Sequence, residues 1–181
     1  GNDLELHLHK SESMVTQVCL RTLDSAGLTN FNFQSPNTPI KNQIVTTSEP
    51  LKDAFNELDW NNDKITFFFS PDKPHFRIES EGVNGSFQVD FPVKNGDAVL
   101  AFQSVQTQEA TFQVKSLNPG LKALSCSDVE RTLISINSMG MLKLEHKIKM
   151  EDLMGSVGEL DVFVDFFLVP CADDVEVTTT S

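Results

Sequence analysis

The same order of secondary-structure signals occurs twice in this chain, and a duplicated unit restricts the fold more than any single motif does. In the first copy, Ile44-Val45-Thr46-Thr47 is a β-branched strand, followed by Ser48 as N-cap with Glu49 and Pro50 in the first helical turn. Leu51, Ala54, Phe55 and Leu58 then recur at helical spacing, with Lys52, Asp53, Asn56 and Glu57 on the opposite side. Three strands follow at Lys64–Phe69, Phe76–Ser80 and Gly85–Phe91, broken by Ser70-Pro71-Asp72-Lys73-Pro74 and Glu81-Gly82-Val83-Asn84. The second copy opens with a strand at Thr111–Lys115. Its Ser116–Leu124 segment echoes Thr47–Phe55 through a shared Ser, Pro and Leu-Lys, and strands at Thr132–Asn137, Met141–Ile148 and Leu160–Val169 complete it. Ala98–Ser104 supplies a linking strand. Two βαβββ units predict an α+β domain with antiparallel sheets and both helices on one face.

Ahead of the repeat, Leu4, Leu6 and Leu8 alternate with Glu5, His7 and His9, and Val15–Leu20 follows a polar turn at Lys10–Ser13. That alternation is the signature of a β-hairpin. Phe31 and Phe33 form a short alternating strand, and Gln34-Ser35-Pro36-Asn37-Thr38-Pro39 opens a connector. The chain therefore divides into residues 1–33, a connector at 34–43, a duplicated domain at 44–170 and an acidic tail at 171–181.

Composition narrows the chemistry. The 181 residues carry 14 Lys+Arg against 26 Asp+Glu, a net charge of −12. Such a field opposes binding to nucleic acid through overall charge, because that binding runs on clustered cations. Cys19, Cys126 and Cys171 are odd in number and widely spaced, which argues against a disulfide framework or a structural zinc site and for a reducing compartment, cytosol or nucleus. No apolar run approaches the ~20 residues that a membrane-crossing helix needs.

Few residues suggest catalysis. The chain has no Gly-rich phosphate loop, no G-x-S-x-G and no H-E-x-x-H, and it has no Tyr. His7 and His9 share a strand face in a geometry that suits a metal, but two solvent-facing histidines on a hairpin more often simply meet water; His75 and His146 stand beside strands without a partner set. Asp59, Asp63 and Asp72 cluster in sequence, and Asp161 and Asp165 share one strand face, where a solvated surface is expected in preference to a metal site. Phe67-Phe68-Phe69 and Phe163, Phe166 and Phe167 lack basic neighbours, so core packing is expected before base stacking, and a sheet-edge interface second.

The segment from Ser48 to Asp59, the run Ser70-Pro71-Asp72-Lys73-Pro74-His75-Phe76-Arg77-Ile78, and later pieces in the same order resemble the Rad-one subunit family of the nine-one-one checkpoint clamp. Those later pieces are Gly85-Ser86 to Asp90-Phe91-Pro92, Phe112 to Leu124, and Phe163 to Pro170. The resemblance implies a sliding-clamp fold like that of proliferating cell nuclear antigen, with residues 1–33 supplying only the last strands of a first clamp domain. It also implies a non-catalytic, nuclear scaffold: one subunit of a heterotrimeric ring with two related clamp subunits, set around double-stranded DNA by a clamp loader and recruiting checkpoint and repair proteins. No cofactor, metal or membrane partner is implied.

On that basis Lys52, Lys122 and Lys115 are the DNA-facing candidates, and Ile40, Ile44 and Val169 the floor of a partner-peptide pocket. Free edges for subunit pairing are sought at Thr132–Asn137 and Gly85–Phe91. A 3′ to 5′ DNA exonuclease and a clamp-like module that never encircles DNA are the rival readings.

Overall fold

In the computed structural model, residues 4–11, 14–20, 32–57, 63–82, 85–93, 97–125, 128–150 and 160–171 are described. They divide into two units, Gly1–Asn32 and Phe33–Ser181. The first unit is a hairpin of β1 (Leu4–Ser11) and β2 (Met14–Leu20), paired antiparallel with Leu6 opposite Val18 and Leu8 opposite Thr16.

The second unit runs β3 (Ile40–Thr47), α1 (Ser48–Glu57), β4 (Lys64–Phe69), β5 (Phe76–Gly82) and β6 (Gly85–Phe91), then β7 (Val99–Ser104), then β8 (Gln108–Gln113), α2 (Val114–Leu124), β9 (Val129–Asn137), β10 (Leu142–Met150) and β11 (Leu160–Leu168). Both βαβββ copies are present, with β7 between them. The copies are interleaved rather than side by side. One five-stranded sheet has the order β11-β10-β9-β3-β7, and one four-stranded sheet the order β6-β5-β4-β8, so each copy lends its first strand to the other copy's sheet. Two threonine pairs mark the exchange: Thr46 faces Thr132 across β3 and β9, and Thr66 faces Thr111 across β4 and β8, where the hydroxyls are 2.9 Å apart.

Alternation decides which side chains face inward. Ile65, Phe67 and Phe69 on β4, Phe76 and Ile78 on β5, Ala110 and Phe112 on β8, Ile134 and Ile136 on β9, and Leu142 and Leu144 on β10 are buried in one continuous core. Leu51, Ala54 and Phe55 of α1 join it, as do Leu117, Leu121 and Leu124 of α2. Both helices pack on β9 and against each other, as expected for helices on one face. Phe67 lies at the centre, with an edge-on contact to Phe112 at 5.7 Å and tilted contacts to Phe55 and Phe76. Phe68, by contrast, is half-buried on the outer face, so the Phe triplet alternates instead of being buried on both sides.

Three local expectations need correction. The second helix begins at Val114, not Ser116, so Lys115 belongs to its first turn; the backbone N–H of Val114 donates to Asp63 O at 2.9 Å, which ends the ladder of β8 there. Ser48 does not cap α1: it is buried, and its hydroxyl donates to the carbonyl of Val129 on β9. The segment 34–43 holds a turn closed by paired backbone bonds between Ser35 and Thr38, while Ile40–Gln43 already belong to β3. Phe31, Leu58 and the tail from Ala172 lie outside the described residues.

Helix α2 is fastened to the five-stranded sheet at Gly120 and His146. A Cβ on Gly120 would stand 3.0 Å from Leu144 Cδ1 and 3.4 Å from Phe166 Cγ, so only a glycine lets the helix settle this close without pushing its neighbours. His146, fully buried, donates Nε2–H to the Gly120 carbonyl at 2.9 Å. That tautomer leaves Nδ1 to accept from the Thr132 hydroxyl at 2.8 Å.

Burial holds His146 below the ordinary imidazole pKa, against smaller raising effects from the Gly120 carbonyl and the charge of Asp165. Below about pH 6.5 the unfolded chain binds a proton here that the folded chain refuses, so stability falls as pH drops from there toward the depressed folded value. Urea midpoints measured from about pH 7 to about pH 5 should decline in the native chain, and the decline should be shallower in His146→Asn.

Candidate functional site

The two helices differ in charge on their exposed faces. In α2, Lys115, Ser116, Asn118, Pro119 and Lys122 are exposed, and no carboxylate occurs in the helix. Lys115 and Lys122 are seven residues apart, two turns along one face and about 10 Å in rise. In α1, Glu49, Asp53 and Glu57 outnumber Lys52, whose ammonium is half-buried and paired with Glu49 at 3.1 Å. Lys115 and Lys122 therefore present a shared cationic face, and Lys52 is neutralised within its own helix.

The proposed peptide floor is distributed differently. Ile44 is fully buried in the core, where it packs between the sheets and the helices. Ile40 is half-buried and Val169 is 71% exposed. Register places both at the same end of the five-stranded sheet, since Leu168 pairs with Leu142, Leu142 with Ile136, and Ile136 with Asn42. Three strand spacings separate them, about 14 Å, so they do not form one small pocket. On β11, two residues before Val169, stands Phe167, 44% exposed, whose ring meets that of buried Phe33 at 5.6 Å. Phe163 is likewise exposed on β11, so these two rings correct the core assignment, while Phe166 packs against the core as expected. Only the odd–even parity of an edge strand would have separated them.

A chain of buried amides holds this end of the sheet. Asn42 Nδ2 donates to Gln108 Oε1 at 3.0 Å, and Gln108 Nε2 donates to the Asn137 carbonyl at 2.8 Å. Asn137 Nδ2 then donates to the Phe33 carbonyl at 3.0 Å, while its Oδ1 accepts from the backbone N–H groups of Met139 and Met141. Ser104 Oγ and Val105 N–H donate to Asn42 Oδ1. The network spans β3, β7, β8, β9 and the segment leading into β3.

Of the two candidate edges, Thr132–Asn137 is excluded: it lies inside β9, paired on one side with β10 and on the other with β3. Gly85–Phe91 is β6, one of the two terminal strands of the four-stranded sheet, paired among the described residues only with β5, exposed along most of its length and carrying Phe87 at 43% exposure. Its free backbone groups can take a further strand.

Of the acidic candidates, Asp161 and Asp165 are engaged in ion pairs. Lys143 bridges Glu145 at 2.6 Å and Asp165 at 2.9 Å, and Lys147 bridges Asp161 at 3.0 Å and Glu130 at 3.2 Å. Burial disfavours the charge of Lys143, yet its hydrogen bonds to Glu145 and Asp165 outweigh that and raise its pKa. Lys147 is raised by its bonds to Asp161 and Glu130. His7 stands 3.6 Å from Glu5 on the hairpin. Asp63 and Asp72 sit in loops, and Asp59 lies outside the described residues. Among the described residues, no group of three or more His, Cys, Asp or Glu is placed to hold a metal ion, and no helix is long and apolar enough to cross a membrane.

Replacing Asn137 by Ala removes one acceptor and one donor at once and leaves the buried Phe33 carbonyl without its partner. The cost should be about 1–3 kcal/mol in the unfolding free energy, read from denaturant titration with an unchanged m-value.

Known proteins bear directly on this arrangement. Two solved structures share the fold: PCNA from Thermococcus kodakaraensis, with a TM-score of 0.58 and 19% identity, covering 94% of this chain and 62% of that one; and the PCNA2–PCNA3 complex from Sulfolobus tokodaii, with a TM-score of 0.63 and 15% identity, covering 93% and 60%. The architecture is thus the sliding-clamp fold. The human cell cycle checkpoint protein RAD1 is 35% identical over 180 residues, 98% of this chain and 58% of the relative. The Drosophila melanogaster DNA repair protein Rad1 is 26% identical over 166 residues, 91% of this chain and 57% of the relative. The chain therefore spans under three-fifths of the length of these relatives. Residues 1–148 match the family model described as repair protein Rad1/Rec1/Rad17, and the chain belongs to that family.

Proposed function

We propose that this chain is part of a non-catalytic subunit of a checkpoint clamp: an arc of a heterotrimeric ring that a clamp loader places around double-stranded DNA in the nucleus, where it acts as a scaffold for checkpoint and repair proteins. The observation that carries the reading is the pairing of an inner helix face free of carboxylates with an unpaired outer edge on β6, within a clamp fold. A ring holds DNA by topology, so the subunit needs only a face that tolerates phosphates, and a net charge of −12 is compatible with that. Lys115 and Lys122 supply such a face; Lys52, paired with Glu49, contributes less. Strand addition at β6 gives the ring contact its backbone hydrogen bonds, and Phe87 gives it an apolar side chain to bury.

In this reading the client-peptide surface is the end of the five-stranded sheet bearing Ile40, Phe167 and Val169 and framed by Phe33, while Ile44, sealed in the core, takes no part in it. Exposed rings and a rigid amide-bonded backbone suit capture of an apolar peptide side chain there.

The test uses the full-length protein with its two related subunits and loader on a nicked circular DNA. Complexes should persist on the circle and run off once it is linearised; failure to form a three-subunit complex would overturn the reading. Lys115→Glu with Lys122→Glu should lower the slope of log binding against log salt by about 2, whereas Lys52→Glu alone should change it by less than 1. Phe87→Asp should leave thermal stability within about 0.5 kcal/mol of the native chain while weakening ring assembly, as measured by light scattering.

A further inference from the structure

Beyond the helix faces and the sheet ends, one cavity has no part in the clamp reading. It measures about 550 Å³ and lies where β5 begins and β6 ends, lined by Lys73, Pro74, His75, Arg77, Asp90, Phe91, Pro92 and Val93. We propose that it is a docking site for an acidic linear peptide of a partner protein, seating one apolar side chain on Phe91, Pro92 and Val93 and the adjoining carboxylate on Lys73.

Charge complementarity selects the occupant. The lining holds two permanent cations, Lys73 and Arg77, against one carboxylate, Asp90. Arg77 consumes that carboxylate in a two-point contact, Nε to Oδ1 at 2.6 Å and Nη2 to Oδ2 at 3.3 Å. Lys73 is exposed and has no ion pair among the described residues, so it is the charge left to meet a ligand. A second cavity on the same sheet shows the contrast: its lining holds Glu79, Glu81 and Glu109 against Lys64, a balance that disfavours an acidic ligand. In a chain of net charge −12, a cation-rimmed apolar hollow is a local departure from the overall field.

The floor is apolar. Pro74 and Pro92 have no backbone N–H, so around them the walls offer carbon surface and the donors come from side chains. Phe91 is buried at 5% exposure, its ring braced against Phe76 at 5.2 Å.

The walls are also fixed in advance. Ser70 N–H donates to the His75 carbonyl at 2.8 Å, Asp72 N–H donates to Ser70 Oγ at 3.1 Å, and Ser70 Oγ contacts the Thr107 hydroxyl at 3.2 Å. The His75 ring meets Phe102 of β7 at 5.5 Å, tying this wall to the second sheet. A loop held at both ends loses little entropy on binding, which favours recognition of a short segment.

The experiment follows backbone amide resonances of the full 181-residue chain during titration with two tripeptide amides, an N-acetylated Asp-Phe-Glu and an N-acetylated Lys-Phe-Lys. Saturable shifts at His75, Arg77 and Val93 are expected with the acidic peptide, with weaker binding of the basic one. Lys73→Glu, an exposed position that leaves the fold intact, should weaken the acidic peptide roughly fivefold, in line with one exposed charge pair. The proposal is overturned if those amides do not move at the solubility limit of the acidic peptide, if both peptides bind equally, or if Lys73→Glu leaves the affinity unchanged.

Discussion

Pairing between copies is the constraint on which the rest of this structure depends. Because β3 lies beside β9 and β8 beside β4, neither repeat owns a complete sheet, and each sheet contains a junction between strands far apart in sequence. Thr46 opposite Thr132 and Thr66 opposite Thr111 set the register at these two junctions. A one-residue slip at either would turn Ile44, Ile134 or Phe67 toward solvent, so the buried faces and the junctions hold each other in place. The helices inherit their positions from the exchange: each follows directly from a donated strand, which is why both arrive on the same side and touch.

That placement creates the difference on which the functional reading rests. Alpha2 is drawn close to β10 and β11 by Gly120, and its buried attachment to β10 runs through a neutral imidazole, so its outer side is left to two lysines and small polar groups. Alpha1 buries Ser48 against β9 and spends its one lysine on Glu49. Two helices of like origin thus meet the same space with opposite charge. The outer face of β10 and β11 follows a separate rule, in which Lys143 and Lys147 answer Asp165 and Asp161 of β11, and Phe163 and Phe167 stay exposed beside them.

Most of the architecture was legible because period and punctuation agreed. Lys64–Phe69 and Gly85–Phe91 carry alternation bounded by Pro and Gly signals, and their limits match the strands. The start of α2 was not legible, since Val114 and Lys115 suit a strand end as well as a helix start, and a tertiary bond from Val114 to Asp63 decides between them. Strand order was hidden for a stronger reason: local pattern shows that Thr132–Asn137 is a strand but not that β3 will cover its flank. Site residues chosen by resemblance fared according to their surroundings. Lys122 stands on a helix surface that periodicity reveals, whereas the place of Lys115 depends on where α2 starts, and the burial of Ile44 and the exposure of Phe167 depend on which strands lie inside the sheet and which at its margin. Family membership came through because several short runs kept their order along the chain.

The seam of side-chain amides from Asn42 through Gln108 to Asn137 has a consequence for how the molecule would come apart. Its members carry no net charge, so dissolved ions do little to it, while the lysine bridges on the face of β10 and β11 are exposed to screening. Concentrated electrolyte should therefore loosen the margin at β11 first, and the lead-in through Phe33, stitched by Asn137 to the middle of the five-stranded sheet and through Gln108 to β8, should be among the last parts to let go.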